Sequence, residues 1–173
     1  MKSARAKVLH ELGGLPLITY VCRAAKSLEP AKIYVIVGHQ AAEVRKAVEN
    51  EVGDCAEFVT QKAQRGTGDA VIAARQHLEN SDSVVLVLSG DVPLIRAESL
   101  KAFIGKHKSS RAACSVLSVR LENPTGYGRI VRDGAGKFVR IVEQKDASPV
   151  EQQIKEINAG IYCFAAPKLF AAL

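Results

Sequence analysis

A chain of 173 residues, 47% of them hydrophobic, is long enough to bury a core of its own, and one compact domain is the default expectation. Its longest apolar run, "SVVLVLSG" at 83–90, falls far short of the ~20 residues of a membrane helix, and no signal-peptide pattern precedes it, so a soluble cytoplasmic protein is expected. Lys and Arg exceed Asp and Glu by 24 to 18, which suits a polyphosphate substrate or an RNA partner without deciding between them, and the four cysteines, far apart with no CxxC pair, exclude a zinc knuckle and a disulfide framework.

In chain order, residues 1–15 hold basic side chains and a Gly-Gly pair, which is loop chemistry. Leu17, Val21, Ala24 and Leu28 then predict an amphipathic helix over 16–28. "KIYVIVG" (32–38) reads as a buried strand, "AEFVTQ" (56–61) as another, and "SVVLVLSGD" (83–91) as a third. Helices are predicted between them near 40–51 and 67–79, and after them near 96–108. This alternation argues an α/β fold, a parallel sheet with helices on its faces. From Cys114 the pattern changes to a strand in "ACSVLSVRL", a hairpin in "RIVRDGAGKFVRIVE" with its turn at Asp133 to Gly136, and a last strand over 157–165 that leads into "PKLFAAL".

In a parallel α/β unit the helix over 16–28 should follow a strand, yet residues 1–15 contain none, so the first strand is expected to lie outside this sequence.

Five places carry candidate chemistry. Asp91, in "SGDVPL", stands where a strand runs out, a position from which a carboxylate can hold Mg²⁺ against phosphate oxygens or can simply cap a turn. Gly66 and Gly68 enclose Thr67 ahead of a helix, where backbone N–H groups can meet a ligand or Thr67 can serve as a cap. In "NPTGYGRI", Pro124, Gly126 and Gly128 shape a loop that enters a strand. Glu143 in "VEQKDA" and Asn158 in "EINAGI" each sit at the margin of an apolar strand, as a ligand contact or a solvated strand end. The four histidines have no Ser or Cys nucleophile beside them, which leaves a hydrolase triad without support.

Taken in order and spacing, "KVLHELGGLP", "QKAQRGTGDAV", "SGDVPL", "NPTGYGRI", "VEQKDA" and "EINAGIY" resemble the uridylyltransferase (pyrophosphorylase) domain of the bacterial bifunctional N-acetylglucosamine-1-phosphate uridyltransferases, across essentially the whole chain. The resemblance implies a Rossmann-like nucleotide-diphospho-sugar transferase fold, mostly parallel, in which residues 1–173 form a single partial domain. That domain lacks its first central strand, which would lie between the strands at 32–37 and 84–88. The family's Gly-rich phosphate loop ends where Met1 begins, and its second metal ligand and β-helical acetyltransferase domain lie beyond Leu173. Full-length relatives are expected to form homo-oligomers through that absent domain. The chain by itself is expected to be unstable, because an empty central slot should outweigh the ~5–15 kcal/mol of a domain's net stability, and to be inactive alone.

Residue by residue, the resemblance makes Lys7 a phosphate contact and, with Asp91, a catalytic residue; Asp91 is the Mg²⁺ ligand. Gln61, Gly66 and Thr67 become the uracil-reading positions, and Gly128, Glu143 and Asn158 those that hold N-acetylglucosamine. The implied substrates are UTP and N-acetylglucosamine-1-phosphate, the implied cofactor is Mg²⁺, and neither nucleic acid nor membrane is a partner. Three departures touch the pockets: Ser89 where tyrosine is usual, Leu15 for a basic residue and Ala159 for threonine. Alternatives are a thymidylyl- or cytidylyltransferase for another sugar phosphate, and a basic RNA- or protein-binding module, which lacks aromatic residues beside its basic clusters.

Overall fold

The computed structural model describes residues 5–61 and 66–173, which cluster into two compact units, Met1–Cys114 with Cys163–Leu173 and Ser115–Tyr162.

The first unit opens on a short 3₁₀ turn at Lys7–Leu9 and a hairpin of two-residue strands, β1 (Glu11–Leu12) and β2 (Leu15–Pro16). Where loop chemistry alone was expected, Gly13 and Gly14 at φ 58° and 82° supply the two positive angles that close a two-residue hairpin turn. Helix α1 (Leu17–Lys26) buries Ile18, Val21 and Cys22, an i, i+3, i+4 stripe, and α2 (Ala41–Val52) buries Val44, Val48 and Val52 at successive turns. These stripes meet β3 (Ile33–Val37), whose Val35 and Val37 alternate inward, in one apolar cluster that also takes in Leu9. Each such side chain contributes about 1.5–3 kcal/mol on burial.

Strand β4 (Ala56–Thr60) pairs in parallel with β3, from Ile33 opposite Ala56 to Val37 opposite Thr60. The single helix expected over 67–79 is two, α3 (Thr67–Ala73) and α4 (Arg75–Leu78). The break is Ala74, whose φ of −88° and ψ of 1° tighten the turn so that its N–H reaches Val71 and Ile72. Strand β5 (Val84–Val87) is shorter than its apolar run and lies in a different sheet from β3. Helix α5 (Ala97–Ser110) follows, and the chain returns to this unit at Cys163 to end in α6 (Ala166–Ala172), whose first N–H donates to the carbonyl of Ser83 beside β5.

All four cysteines are free, as expected. Burial pushes the Cys22 and Cys163 thiols up to about 11, which makes both inert, while Cys114 is exposed.

The second unit is antiparallel. Strand β6 (Cys114–Arg120) leads into it, β7 (Arg129–Arg132) and β8 (Phe138–Val142) form the expected hairpin, and Arg129 of β7 lies opposite Ile157 of β9 (Glu156–Ala165). The hairpin turn is held by Asp133, whose Oδ1 accepts the N–H groups of Ala135 and Lys137. Ile130, Val142, Ile157 and Ile161 fill its core.

Across this unit the Arg132 guanidinium grips the Glu156 carboxylate with two bonds of 2.8 and 2.7 Å, and Ser118 adds a third at 2.6 Å. Arg132 first, then Ser118, hold the Glu156 carboxyl at about 2, below the ordinary 4.5. A depressed carboxyl stabilises fully above the ordinary value and loses that contribution as pH falls from about 4.5 to about 2. Thermal melts between those pH values should therefore fall less steeply in Glu156→Gln than in the unaltered protein.

Candidate functional site

In the first unit Gln61, Gly66 and Thr67 follow the carboxyl end of β4 and Asp91 that of β5, where ligands collect in open α/β sheets, while Lys7 opens the 3₁₀ turn ahead of β1. Asp91 lies four residues beyond β5, exposed, and among the described residues no hydrogen bond or ion pair engages its carboxylate. The reading of Asp91 as a loop cap therefore loses its footing, and α5 starts with no side-chain cap.

Gly90 places Asp91 against the segment that carries Lys7. A Cβ on Gly90 would lie 2.7 Å from Ile18 Cδ1 and 3.0 Å from Val8 Cγ1, so a larger residue there would have to push both side chains aside. The exposed Lys7 and Asp91 thus flank a tight contact between Val8 and Gly90, and among the described residues Lys7 has no partner either. The same segment is fixed from β3 by Gln40, whose Oε1 accepts the N–H of Ala6 at 2.5 Å. Gln40 does this from a left-handed backbone at φ 53° and ψ 41°, a conformation costly for a residue with a side chain and one that clusters at functional sites.

Gln61 continues β4, its N–H bonded to Val37 at 2.8 Å. Its Nε2 donates to Asp69 Oδ2 at 2.9 Å. A carboxylate only accepts, so Asp69 turns the amide nitrogen toward itself and leaves Gln61 Oε1 as an acceptor with no partner among the described residues. Gly66 adopts φ 125° and ψ −177°, a region open essentially to glycine, and Thr67 begins α3 without a side-chain cap bond. The cap reading of Thr67 thus has no bond behind it. Residues 62–65, in the middle of "QKAQRGTGDAV", lie outside the described residues.

In the second unit Gly128, Glu143 and Asn158 come together, although 30 residues separate the first from the last. The Asn158 N–H donates to the Gly128 carbonyl at 2.8 Å, and a Cβ on Gly128 would sit 3.2 Å from Glu143 Oε1. Glu143 is exposed and its carboxylate has no partner among the described residues. Asn158 is half-buried and tied within its own strand: its Nδ2 donates to the Tyr162 hydroxyl at 2.6 Å and its Oδ1 accepts the Gly160 N–H at 3.0 Å. One N–H and one lone pair of the amide remain for a ligand.

Sequence reasoning missed Gln40, Asp69, Arg129 and Gln144, none of which carries a spacing signal; a left-handed glutamine and a buried arginine become visible only with backbone angles and burial.

A profile of the family described as nucleotidyl transferase matches residues 2–172. The bifunctional protein GlmU of Streptococcus mutans is 46% identical over 173 residues, 100% of this chain and 37% of its own length. That of Pelobacter propionicus is 47% identical over 170 residues, covering 98% and 36%. The chain therefore spans little more than a third of the length of these relatives. Among solved structures, a protein described as a putative glucose-1-phosphate thymidylyltransferase from Bacillus anthracis superposes with a TM-score of 0.78 at 18% identity, over 95% of this chain and 65% of that one. HddC from Yersinia pseudotuberculosis gives 0.73 at 17%, over 96% and 70%. At such identities the likeness is one of fold, the nucleotide-diphospho-sugar transferase fold.

Proposed function

The chain belongs to the nucleotidyl transferase family, and from that membership we propose that it carries uridylyltransferase chemistry, joining UTP and N-acetylglucosamine-1-phosphate into UDP-N-acetylglucosamine with release of pyrophosphate. The observation that supports this reading best is that Lys7, Asp91 and Glu143, the residues the resemblance assigns to phosphate, metal and sugar, are exposed charges with no partner among the described residues.

The chemistry asks for positioning and charge neutralisation more than for covalent help. An oxygen of the sugar phosphate attacks the α-phosphorus of UTP, a new P–O bond forms, and the bond to the β-phosphate oxygen breaks as pyrophosphate leaves. The attacking phosphate, with a second pKa near ~6, is already deprotonated at neutral pH, so no general base is required. Lys7 offsets the repulsion between two polyanions. Gln61 Oε1, left as an acceptor by Asp69, complements the N3–H of uracil and meets only a lone pair at N3 of cytosine, which favours UTP over CTP. Gly128 and Glu143 hold the sugar through a backbone donor and a carboxylate.

Among the described residues no three His, Cys, Asp or Glu side chains gather as a cage, and Asp91 offers a hard, exposed carboxylate oxygen at the end of an apolar strand run. That donor set fits Mg²⁺, which binds through one or two carboxylates and fills its remaining positions with phosphate oxygens and water. Bound by Asp91, the ion supplies charge neutralisation at the phosphates. The product would enter cell-wall precursor synthesis in the cytoplasm; no helix among the described residues is long and apolar enough to cross a membrane. The proposal is tested by product identity when the intact protein is given UTP, the sugar phosphate and Mg²⁺.

A further inference from the structure

Among the described residues Arg129 is the largest fully buried side chain, 1% exposed, and has no acidic partner. A guanidinium buried without a counter-ion costs several kcal/mol, and its Nε lacks any partner at all. Its remaining nitrogens are all spent on one loop and its neighbours. Nη1 donates to the Tyr127 carbonyl, and Nη2 donates to Gln144 Oε1 at 2.8 Å and, more weakly, to the Gln152 carbonyl at 3.4 Å. Gln144 Oε1 also accepts the Gly126 N–H at 3.0 Å, so a single oxygen ties the guanidinium to the loop backbone.

The Tyr127 carbonyl and the Gly128 N–H belong to one peptide plane. Because that plane is rigid and trans, holding the carbonyl from the Arg129 side fixes the direction of the Gly128 N–H on the opposite side. The Asn158 bond to the Gly128 carbonyl fixes the next plane. Among the described residues the Gly128 N–H itself has no protein partner.

We propose that Arg129 and Gln144 are positioning residues for the sugar phosphate, a buried clasp that aims the Gly128 N–H and sets it beside the Glu143 carboxylate without touching the ligand. The inference rests on the reading of Gly128 and Glu143 as sugar contacts. Each clasp residue is the chain neighbour of one of those contacts, so a shift in the clasp is passed directly to both. Arginine is required because its planar fork serves the Tyr127 carbonyl and Gln144 at once, which a lysine ammonium on a flexible stem does not reproduce.

The test titrates N-acetylglucosamine-1-phosphate and UTP separately into the intact protein, unaltered and as Gln144→Ala, Gln144→Glu and Arg129→Lys. Gln144 is half-buried, so its truncation leaves the core intact. Loss of an orienting partner of this kind costs about ten- to hundredfold in affinity. Gln144→Ala and Arg129→Lys should each weaken the sugar phosphate by that factor and leave UTP unchanged. Gln144→Glu, which keeps an oxygen that accepts from both Gly126 and Arg129, should recover most of the loss. Unchanged sugar-phosphate affinity in Gln144→Ala, equal weakening of both ligands, or no recovery in Gln144→Glu overturns the clasp. If the unaltered protein binds no sugar phosphate, the sugar-site reading itself falls and the clasp goes with it.

Discussion

Replacing Asp91 with asparagine in the intact protein should lower Mg²⁺-dependent turnover by about 10²–10³-fold, or about 2.7–4 kcal/mol of transition-state stabilisation, the magnitude of one lost charge-stabilising contact. The side chain is exposed and bonds to none of the described residues, so the substitution removes no interaction among them. Surface changes of this kind stay within about 0.5 kcal/mol, and the melting temperature should move by no more than about 2 °C. Kinetics and a thermal melt on the same preparation check both halves. Unchanged turnover would remove Asp91 from the metal, and a large fall in melting temperature would return it to a structural role.

The second large effect is expected at Gly128. Its backbone angle is not in the left-handed region, so alanine meets no conformational penalty there. What alanine meets is Glu143: the added Cβ lies 3.2 Å from Oε1, 3.4 Å from Oε2 and 3.2 Å from Ile141 Cγ2. The carboxylate must move by a few tenths of an ångström, and the methyl group occupies the space against which a sugar would lie. Because misplacement on this scale costs up to about 10²-fold, Gly128→Ala should weaken N-acetylglucosamine-1-phosphate by about 10–10²-fold while UTP affinity holds. Calorimetric titration of each ligand separates the two. Equal loss of both would mean that the substitution damages the protein generally.

The contrast between these two residues bears on what the sequence reveals. Asp91 is visible because a continuous apolar run stops at a glycine and an acid, a local pattern with a local meaning. The parallel pairing of β3 with β4 and the hairpin of β7 with β8 follow in the same way from periodicity and turn residues. Gly128, Glu143 and Asn158 are individually ambiguous, since a glycine in a loop and a polar residue at a strand margin have ordinary explanations; only their joint resemblance to a family singled them out. The break at Ala74 was not legible because alanine favours a helix, and its tightened backbone angles leave no mark in composition or spacing. Gln40 and Arg129 were hidden for a deeper reason. Their roles depend on a left-handed backbone and on complete burial, and neither property leaves a trace in composition or spacing.

The central claim is that the proposed chemistry joins the uridylyl group of UTP to an acetylated sugar phosphate with the help of Mg²⁺. The most direct measurement mixes the intact protein and Mg²⁺ with equal concentrations of UTP, dTTP and CTP and of N-acetylglucosamine-1-phosphate and glucose-1-phosphate, and identifies every nucleotide sugar formed by mass spectrometry. UDP-N-acetylglucosamine should dominate, accompanied by pyrophosphate and lost on chelation of the metal. A dominant thymidine or cytidine product, or no nucleotide sugar at all, would contradict the account.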